Sequence, residues 1–192
     1  MPARILRAAC LLLLCGLGAH AQDAKPKAPE ANAGIVYGKD HAFAIKAPDG
    51  WVLDNQSGVP NGLHAVFYPE GSSWKESKAV MYANGAGKAD DDTLEKFVER
   101  DVDGFRKHSP GLKVADDEAP PLNGKEKVLV KRFSGDRAGS HEAVAYVEES
   151  KVVVIIVLHA RTQKDFDDAL PAFRKLVSTY RFISDRVTME NK

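Results

Sequence analysis

The feature that most constrains the fold is the run Val-Val-Val-Ile-Ile-Val-Leu-His-Ala at Val152–Ala160. Its β-branched residues favour an extended backbone, and a strand that is apolar at consecutive positions must be covered on both faces. Residues 149–151 alone separate it from another strand-like segment at residues 141–148, so the two segments form an antiparallel hairpin. We therefore predict a central strand in an antiparallel sheet, with helices on both sides.

Other segments alternate apolar and polar residues between turn sequences, which is typical of half-buried strands. The Pro-Asp-Gly sequence at residues 48–50 is one such turn, and Asn-Gly-Ala-Gly at residues 84–87 is a loop after a strand. The additional predicted strands are a segment around Phe43 and Ile45, an extended segment beginning at Trp51, and residues 63–68, 78–82 and 126–133.

Two segments have the spacing of amphipathic helices. The first is predicted to begin with Asp92 as its capping residue and to end at Ser-Pro-Gly, residues 109–111. The second follows a Thr162 cap, and Pro171 within it predicts either a kink or a one-turn prelude to a helix that starts near Leu170. The two apolar stripes contain Leu94, Phe97, Val98, Val102 and Phe105, and Phe166, Ala169, Leu170, Phe173, Leu176, Val177 and Tyr180.

These elements predict one α+β domain over residues 35–183, an α/β/α sandwich with a central antiparallel sheet of about six to seven strands flanked by helices. Residues 22–34 contain two prolines and few apolar side chains, so we predict a disordered linker there. Residues 184–192 are predicted to form a polar tail.

The first 21 residues have the pattern of a cleaved secretory signal. Arg4 and Arg7 precede an apolar stretch, and Ala19 and Ala21 form a small-x-small cleavage site before Gln22. We therefore expect a bacterial periplasmic or secreted protein. The apolar stretch, residues 8–19, is shorter than the about 20 residues that cross a bilayer, so we expect no membrane span.

The composition of the mature chain excludes several kinds of site and partner. Both cysteines, Cys10 and Cys15, lie in the predicted signal, so cleavage would exclude disulfides, thiolate metal sites and thiol nucleophiles. If Cys15 were lipidated instead, residues 22–34 would become a tether. The chain has 27 basic and 27 acidic residues, and removal of Arg4 and Arg7 leaves 25 against 27. A net charge of about −2 argues against nucleic acid and anionic membranes as partners.

The sequence contains no compact motif for catalysis, a metal or a cofactor. None of the histidines has the spacing of a local zinc site, and we expect His159 to be a hydrogen-bonded core side chain. Ser140, His141 and Glu142 are adjacent on a strand, where consecutive side chains alternate faces, so they do not form a catalytic relay. Consecutive acidic residues at 90–92 and 116–118 indicate a helix cap and a solvated edge. We expect no metal and no cofactor.

Two parts of the chain match a known family in sequence and in their place among the elements. They are Phe43, Ile45, Pro48, Asp49, Gly50 and Trp51 at the front, and residues 169–173 and 178–182 at the back. With the order of elements, they resemble the PsbP/DcrB-like α/β sandwich superfamily. The resemblance implies a central antiparallel sheet between helical layers and non-enzymatic roles, as in extrinsic photosystem subunits, bacterial envelope proteins and an import factor that binds the Ran GTPase. The secretory pattern at residues 1–21 favours the envelope role over the photosynthetic one.

Three functional hypotheses follow. The leading one is a non-enzymatic binding or assembly module with an unidentified protein partner in the cell envelope, for which Trp74 is the contact candidate unless it plugs the end of the core. The second is a carrier of a small apolar ligand, with Phe105, Phe173 and Tyr180 lining a pocket between sheet and helix. The third is a hydrolase with a dispersed polar site, which requires a histidine within hydrogen-bond reach of a carboxylate.

Overall fold

Two antiparallel sheets, two α-helices and a short 3₁₀ helix (Val59–Asn61) make up the fold in a computed structural model, which describes residues 32–122, 124 and 126–187. The large sheet has seven strands in the order β3-β4-β5-β9-β8-β7-β6, and the small sheet has the order β1-β2-β10. The elements are β1 (Ala33–Gly38), β2 (His41–Lys46), β3 (Trp51–Asp54), β4 (Ala65–Pro69), β5 (Ala79–Gly87), α1 (Leu94–His108), β6 (Lys113–Asp117), β7 (Val128–Ser134), β8 (His141–Glu148), β9 (Val152–Ala160), α2 (Gln163–Ser178) and β10 (Arg181–Ser184).

The predicted central strand is confirmed. β9 pairs with β5 on one side and β8 on the other, and both partners are antiparallel to it. Val154, Ile156 and Leu158 pack on one face with the buried side chains of α2, while Val153 and Val157 pack on the other face with those of α1. The continuous apolar run is therefore explained by helical cover on both faces of the sheet.

Both helices begin at threonine caps. The Thr93 hydroxyl accepts a hydrogen bond from the backbone N–H of Lys96, so the predicted cap Asp92 is wrong by one residue. Asp92 instead accepts hydrogen bonds from Arg100, an ion pair that ties the residue before the Thr93 cap to the second turn of α1. The predicted Thr162 cap is confirmed, since its hydroxyl accepts from the N–H of Asp165.

Pro171 does not divide the second helix. α2 continues from Gln163 to Ser178 with Pro171 inside it, so the predicted one-turn prelude is wrong. Proline costs stability within a helix because it lacks a donor and crowds the preceding turn. Burial of the stripe on both sides of it, including Phe166 and Phe173, offsets that cost.

Three strands are not predicted by the sequence pattern: β1, β6 and β10. β1 begins at Ala33, two residues inside the predicted linker, and β10 ends at Ser184, the first residue of the predicted tail. Gly34, the last residue of the predicted linker, permits close packing, because a Cβ there would lie 2.8 Å from Leu53 Cδ2. The predicted signal, residues 22–31 of the predicted linker and residues 188–192 of the predicted tail lie outside the described residues.

β2 joins the two ends of the described chain in the small sheet. β1 pairs with it from Ala33 opposite Lys46, and β10 pairs on its other side with Arg181 opposite Ala44. Thr179, just before β10, accepts a hydrogen bond from the Lys46 N–H and donates one to the Lys46 carbonyl. The end of α2 is thereby tied to β2.

One carboxyl group is buried in this packing. Glu149, in the β8–β9 turn, is 6% exposed, and its Oε1 accepts a hydrogen bond from the Tyr180 hydroxyl. Within the described part of the chain, no group bonds to its Oε2. Burial raises the pKa of the Glu149 carboxyl, and the nearby carboxylates of Glu126 and Asp185 raise it further against the opposing effect of Tyr180.

The central core can be tested with one matched pair of substitutions. Ile156 is fully buried in β9, whereas Ile35 is 62% exposed in β1. Ile156→Ala should lower the free energy of unfolding by about 2 to 5 kcal/mol because it leaves a cavity. Ile35→Ala should change it by less than about 0.5 kcal/mol. Urea denaturation followed by circular dichroism measures both, and equal losses would contradict this assignment of the core.

The stability of the fold should depend on the protonation of Glu149. The pKa of Glu149 is higher in the folded state than in the unfolded state, so the folded state favours the protonated acid. The stability that this protonation contributes is complete below about pH 4.3 and is lost as the pH rises through the folded pKa. Glu149→Gln stays neutral. The stability of the variant relative to the natural chain should therefore rise between pH 4 and pH 8 in denaturation curves. Glu70→Gln, at an exposed position, is the control, and a constant difference for Glu149→Gln would disprove the linkage.

Candidate functional site

The most concentrated set of polar and aromatic side chains lies on the α1 face of the large sheet. Glu142 of β8 and His159 of β9 are direct cross-strand partners on this face. Tyr82 of β5 lies on the same face, and Trp74 of the β4–β5 loop packs against it. We call these four residues the Trp74 cluster. It lies beside α1, whose own apolar stripe packs with Tyr146 of β8 and the neighbouring residues.

Glu142 and His159 form a hydrogen-bonded pair. The imidazole Nδ1 lies 2.8 Å from Glu142 Oε1, and the histidine side chain is 36% exposed. The hydrogen bond to Glu142 raises the pKa of His159 above its usual value, and the carboxylate of Asp136 adds to this against the effects of burial and Arg161. The expected hydrogen-bond partner is present, but His159 is at the edge of the core.

Two tyrosines extend the polar surface beneath α1. The Tyr146 hydroxyl donates to Asp101 Oδ2 at 2.8 Å, which links β8 to the helix. Burial, with the carboxylates of Asp101 and Glu142, raises the pKa of both Tyr82 and Tyr146. Both phenols therefore stay protonated at neutral pH. Tyr82 is only partly exposed, beside the indole of Trp74.

Trp74 is neither a fully buried plug nor a fully exposed side chain. Its indole is partly buried and meets the ring of Tyr82 edge-on, with centroids 6.3 Å apart at 85°. Hydrogen bonds within the loop hold its backbone: the Ser77 N–H donates to the Ser73 carbonyl, and the Ser77 hydroxyl donates to that of Ser72. The loop thus presents part of the indole at a fixed position.

The three residues expected to line a ligand pocket do not come together. Phe173 and Tyr180 are fully buried in the α2 layer, where Tyr180 packs on the ring of Phe43 at 5.5 Å. Phe105 lies in the α1 layer on the other side of the sheet, 45% exposed and packed on Phe133. The cavity beside Phe105 measures about 120 Å³, below the several hundred Å³ that a carrier requires.

The hydrolase hypothesis meets one of its requirements, since His159 and Glu142 are within hydrogen-bond reach. A nucleophile is not placed beside them. Ser140, the nearest candidate in sequence, donates its hydroxyl to Asp136 Oδ2 at 2.5 Å. Across the described residues, no hydroxyl hydrogen-bonds to the His159 ring, and no group of three or more His, Cys, Asp or Glu side chains is arranged to hold a metal ion.

One buried ionic cluster was missed by the sequence reasoning. Asp117 of β6 accepts a hydrogen bond from Arg132 of β7 at 2.7 Å and another from Arg174 of α2 at 2.8 Å. Residues 116–118 were expected to form a solvated edge, but the Asp117 side chain is only 10% exposed. Its partners lie far away in sequence, so no local pattern indicates them. The cluster fixes the edge strand and α2 to β7.

These features define the class of fold as PsbP-like: a seven-stranded antiparallel sheet with two helices packed on it and a small accessory sheet. The sequence-based resemblance to the PsbP/DcrB-like α/β sandwich is thus confirmed for the fold. No family model matches the chain, and no curated protein matches its sequence. No helix in the described residues is long and apolar enough to cross a membrane.

Solved structures provide the individual relatives. Cyanobacterial PsbP (CyanoP) from Synechocystis sp. PCC 6803 is similar with a TM-score of 0.54 and 12% identity, covering 84% of this chain and 99% of that one. LpqN, involved in cell envelope biogenesis of Mycobacterium tuberculosis, is similar with a TM-score of 0.53 and 16% identity, covering 78% and 90%. PA94 from Pseudomonas aeruginosa, a protein of unknown function, has a TM-score of 0.50 and 16% identity, covering 82% and 100%. At 12% to 16% sequence identity, the structural similarity shows a shared fold and nothing further.

The coupling of His159 to Glu142 can be measured directly. Glu142→Gln removes the charge that raises the histidine pKa, so the His159 resonance should titrate at a lower pH in the variant than in the natural chain. A ¹H–¹³C NMR titration of labelled imidazoles gives both values. Glu148→Gln, on the same strand but paired with Lys88, should leave the titration of His159 unchanged. An unchanged His159 pKa in Glu142→Gln would contradict the pairing.

Proposed function

We propose that this chain is a non-enzymatic, protein-binding module of the bacterial cell envelope and that the Trp74 cluster is its contact surface. The observation that carries the proposal is the partly exposed indole of Trp74 on a hydrogen-bonded loop. Tryptophan is strongly enriched among residues that dominate protein–protein binding energies. A partly exposed tryptophan that is already held in place has surface left for a partner to bury.

Preorganisation favours this surface as a binding site. A side chain that is ordered before association loses less conformational entropy when the partner binds. The Tyr82 ring supports one side of the indole, and hydrogen bonds among Ser72, Ser73 and Ser77 fix the loop. The Trp74 cluster therefore needs little rearrangement to form an interface.

The polar members of the cluster provide specificity. Tyr82 contributes a partly exposed phenol, and the paired Glu142 and His159 offer charge that varies with pH. Hydrogen-bonding groups of this kind orient a partner that apolar contact alone would not orient. Within the described residues, no nucleophile is aligned with His159 and Glu142. These groups therefore suit recognition of a partner better than catalysis.

The envelope as the place of action is supported by two features. Residues 1–21 have the pattern of a secretory signal, which would deliver the mature chain to the periplasm or the exterior. The fold is similar to that of LpqN, which is involved in cell envelope biogenesis. A chain delivered to this compartment would meet other envelope proteins.

The contact surface can be tested by site-specific photo-cross-linking in the native bacterium. A photoreactive amino acid at Lys75, next to Trp74, should give a defined protein adduct, whereas the same group at Lys175 on α2 should not. Trp74→Ala should reduce the Lys75 adduct at least tenfold, as expected for a dominant contact, and Trp74→Phe should reduce it less.

Circular dichroism of the same variants separates loss of binding from loss of folding. Equal adducts from positions 75 and 175, or an adduct that persists in folded Trp74→Ala, would overturn the proposed surface. Failure of both positions to give any adduct would count against the binding function itself.

A further inference from the structure

The large sheet ends at the edge strand β6. Its order places β6 outermost, with β7 on its inner side and, in the described part of the chain, no strand on its outer side. An edge strand presents backbone N–H and C=O groups that can pair with another strand. β6 is fixed in position, because Asp117 is held by Arg132 and Arg174. The edge is therefore an ordered template.

A groove runs beside this edge, between α1 and the strands β6 and β7. It has a volume of about 300 Å³, and Val98, Val102, Val114 and Leu129 supply its apolar floor. On the α1 side its lining extends from residue 95 to residue 106, a length of about 16 Å along a helix. Of the five residues of β6, Val114, Ala115 and Asp116 line the groove, so it follows the middle of the edge strand.

The rim of the groove carries more exposed negative than positive charge. Asp116 of β6 lines the groove with a side-chain exposure of 85%. Glu118, just beyond the end of β6, is 87% exposed and lies 4.0 Å from Arg174. Glu99 and Asp103 line the α1 side. Lys131 pairs with Asp116 and Arg106 pairs with Asp103, whereas no cation in the described residues pairs with Glu99. An incoming strand would bring its groove-facing side chains against these carboxylates.

We propose that β6 accepts an extended segment of a protein partner as an eighth strand, with apolar side chains in the groove and basic side chains at its rim. Pairing would supply main-chain hydrogen bonds, and the groove would select alternate side chains. The negative rim favours lysine or arginine at the ends of the segment. This site lies over β6 and β7, apart from the Trp74 cluster, and does not depend on that surface.

The proposal can be tested with the full chain and the labelled peptide Lys-Thr-Val-Thr-Val-Thr-Lys. As a strand, this peptide places both valines and both lysines on one face. It should bind saturably in fluorescence polarisation and slow hydrogen exchange of the β6 amides. The control peptide Glu-Thr-Val-Thr-Val-Thr-Glu replaces both lysines with glutamates and so tests whether binding depends on positive charge. Lys-Thr-Val-Pro-Val-Thr-Lys has the same charge but a backbone that pairs poorly, and both control peptides should bind at least threefold more weakly.

Protein variants give the matching controls. Glu99→Lys should weaken binding of the lysine peptide at least threefold, whereas Asp167→Lys, the same charge change on the exposed surface of α2, should not. Trp74→Ala should bind the peptide like the natural chain. The proposal would be overturned if the proline peptide bound as well as the lysine peptide, or if Glu99→Lys and Asp167→Lys had equal effects. It would also be overturned by unchanged hydrogen exchange of the β6 amides or by self-association of the chain through β6.

Discussion

The pairing of β9 with β5 and β8 is the interaction on which the rest of the molecule depends. Every residue of β9 is opposite a residue of β5, and all but one are opposite a residue of β8. One face of this strand forms the core beneath α2, and the other forms the core beneath α1. The same pairing sets Glu142 beside His159 and brings Tyr82 onto their face. The register that builds the core thus also assembles the candidate site.

The two faces of the large sheet are covered to different extents. On the α2 face, helix and small sheet close over the strands, and side chains such as Phe173 and Tyr180 are fully buried. On the α1 face, a single helix leaves the Trp74 cluster on one side and the β6 groove on the other. Both proposed contact surfaces lie on the face that is less completely covered.

The central strand and both helices were predictable because their apolar periodicity is local. β1, β6 and β10 were not, since they are short edge strands whose pairing is made by the backbone and leaves little pattern in their side chains. Trp74 was recognisable as a large aromatic residue in a polar loop. Its contact with Tyr82 and the pairing of Glu142 with His159 depend on strand register, which separates these residues by many positions in sequence. Asp117 was missed for the same reason.

The small sheet has a mechanical consequence. β1 and β10 lie on opposite sides of β2 and run parallel to each other, with the chain entering near Lys46 and leaving near Ala42. Tension applied between the two ends would therefore slide both outer strands along β2 in opposite directions. All the hydrogen bonds of each ladder would bear that load together, whereas peeling would break them one at a time. The small sheet would act as a shear clamp that shields the large sheet, and the surfaces it carries, from pulling forces.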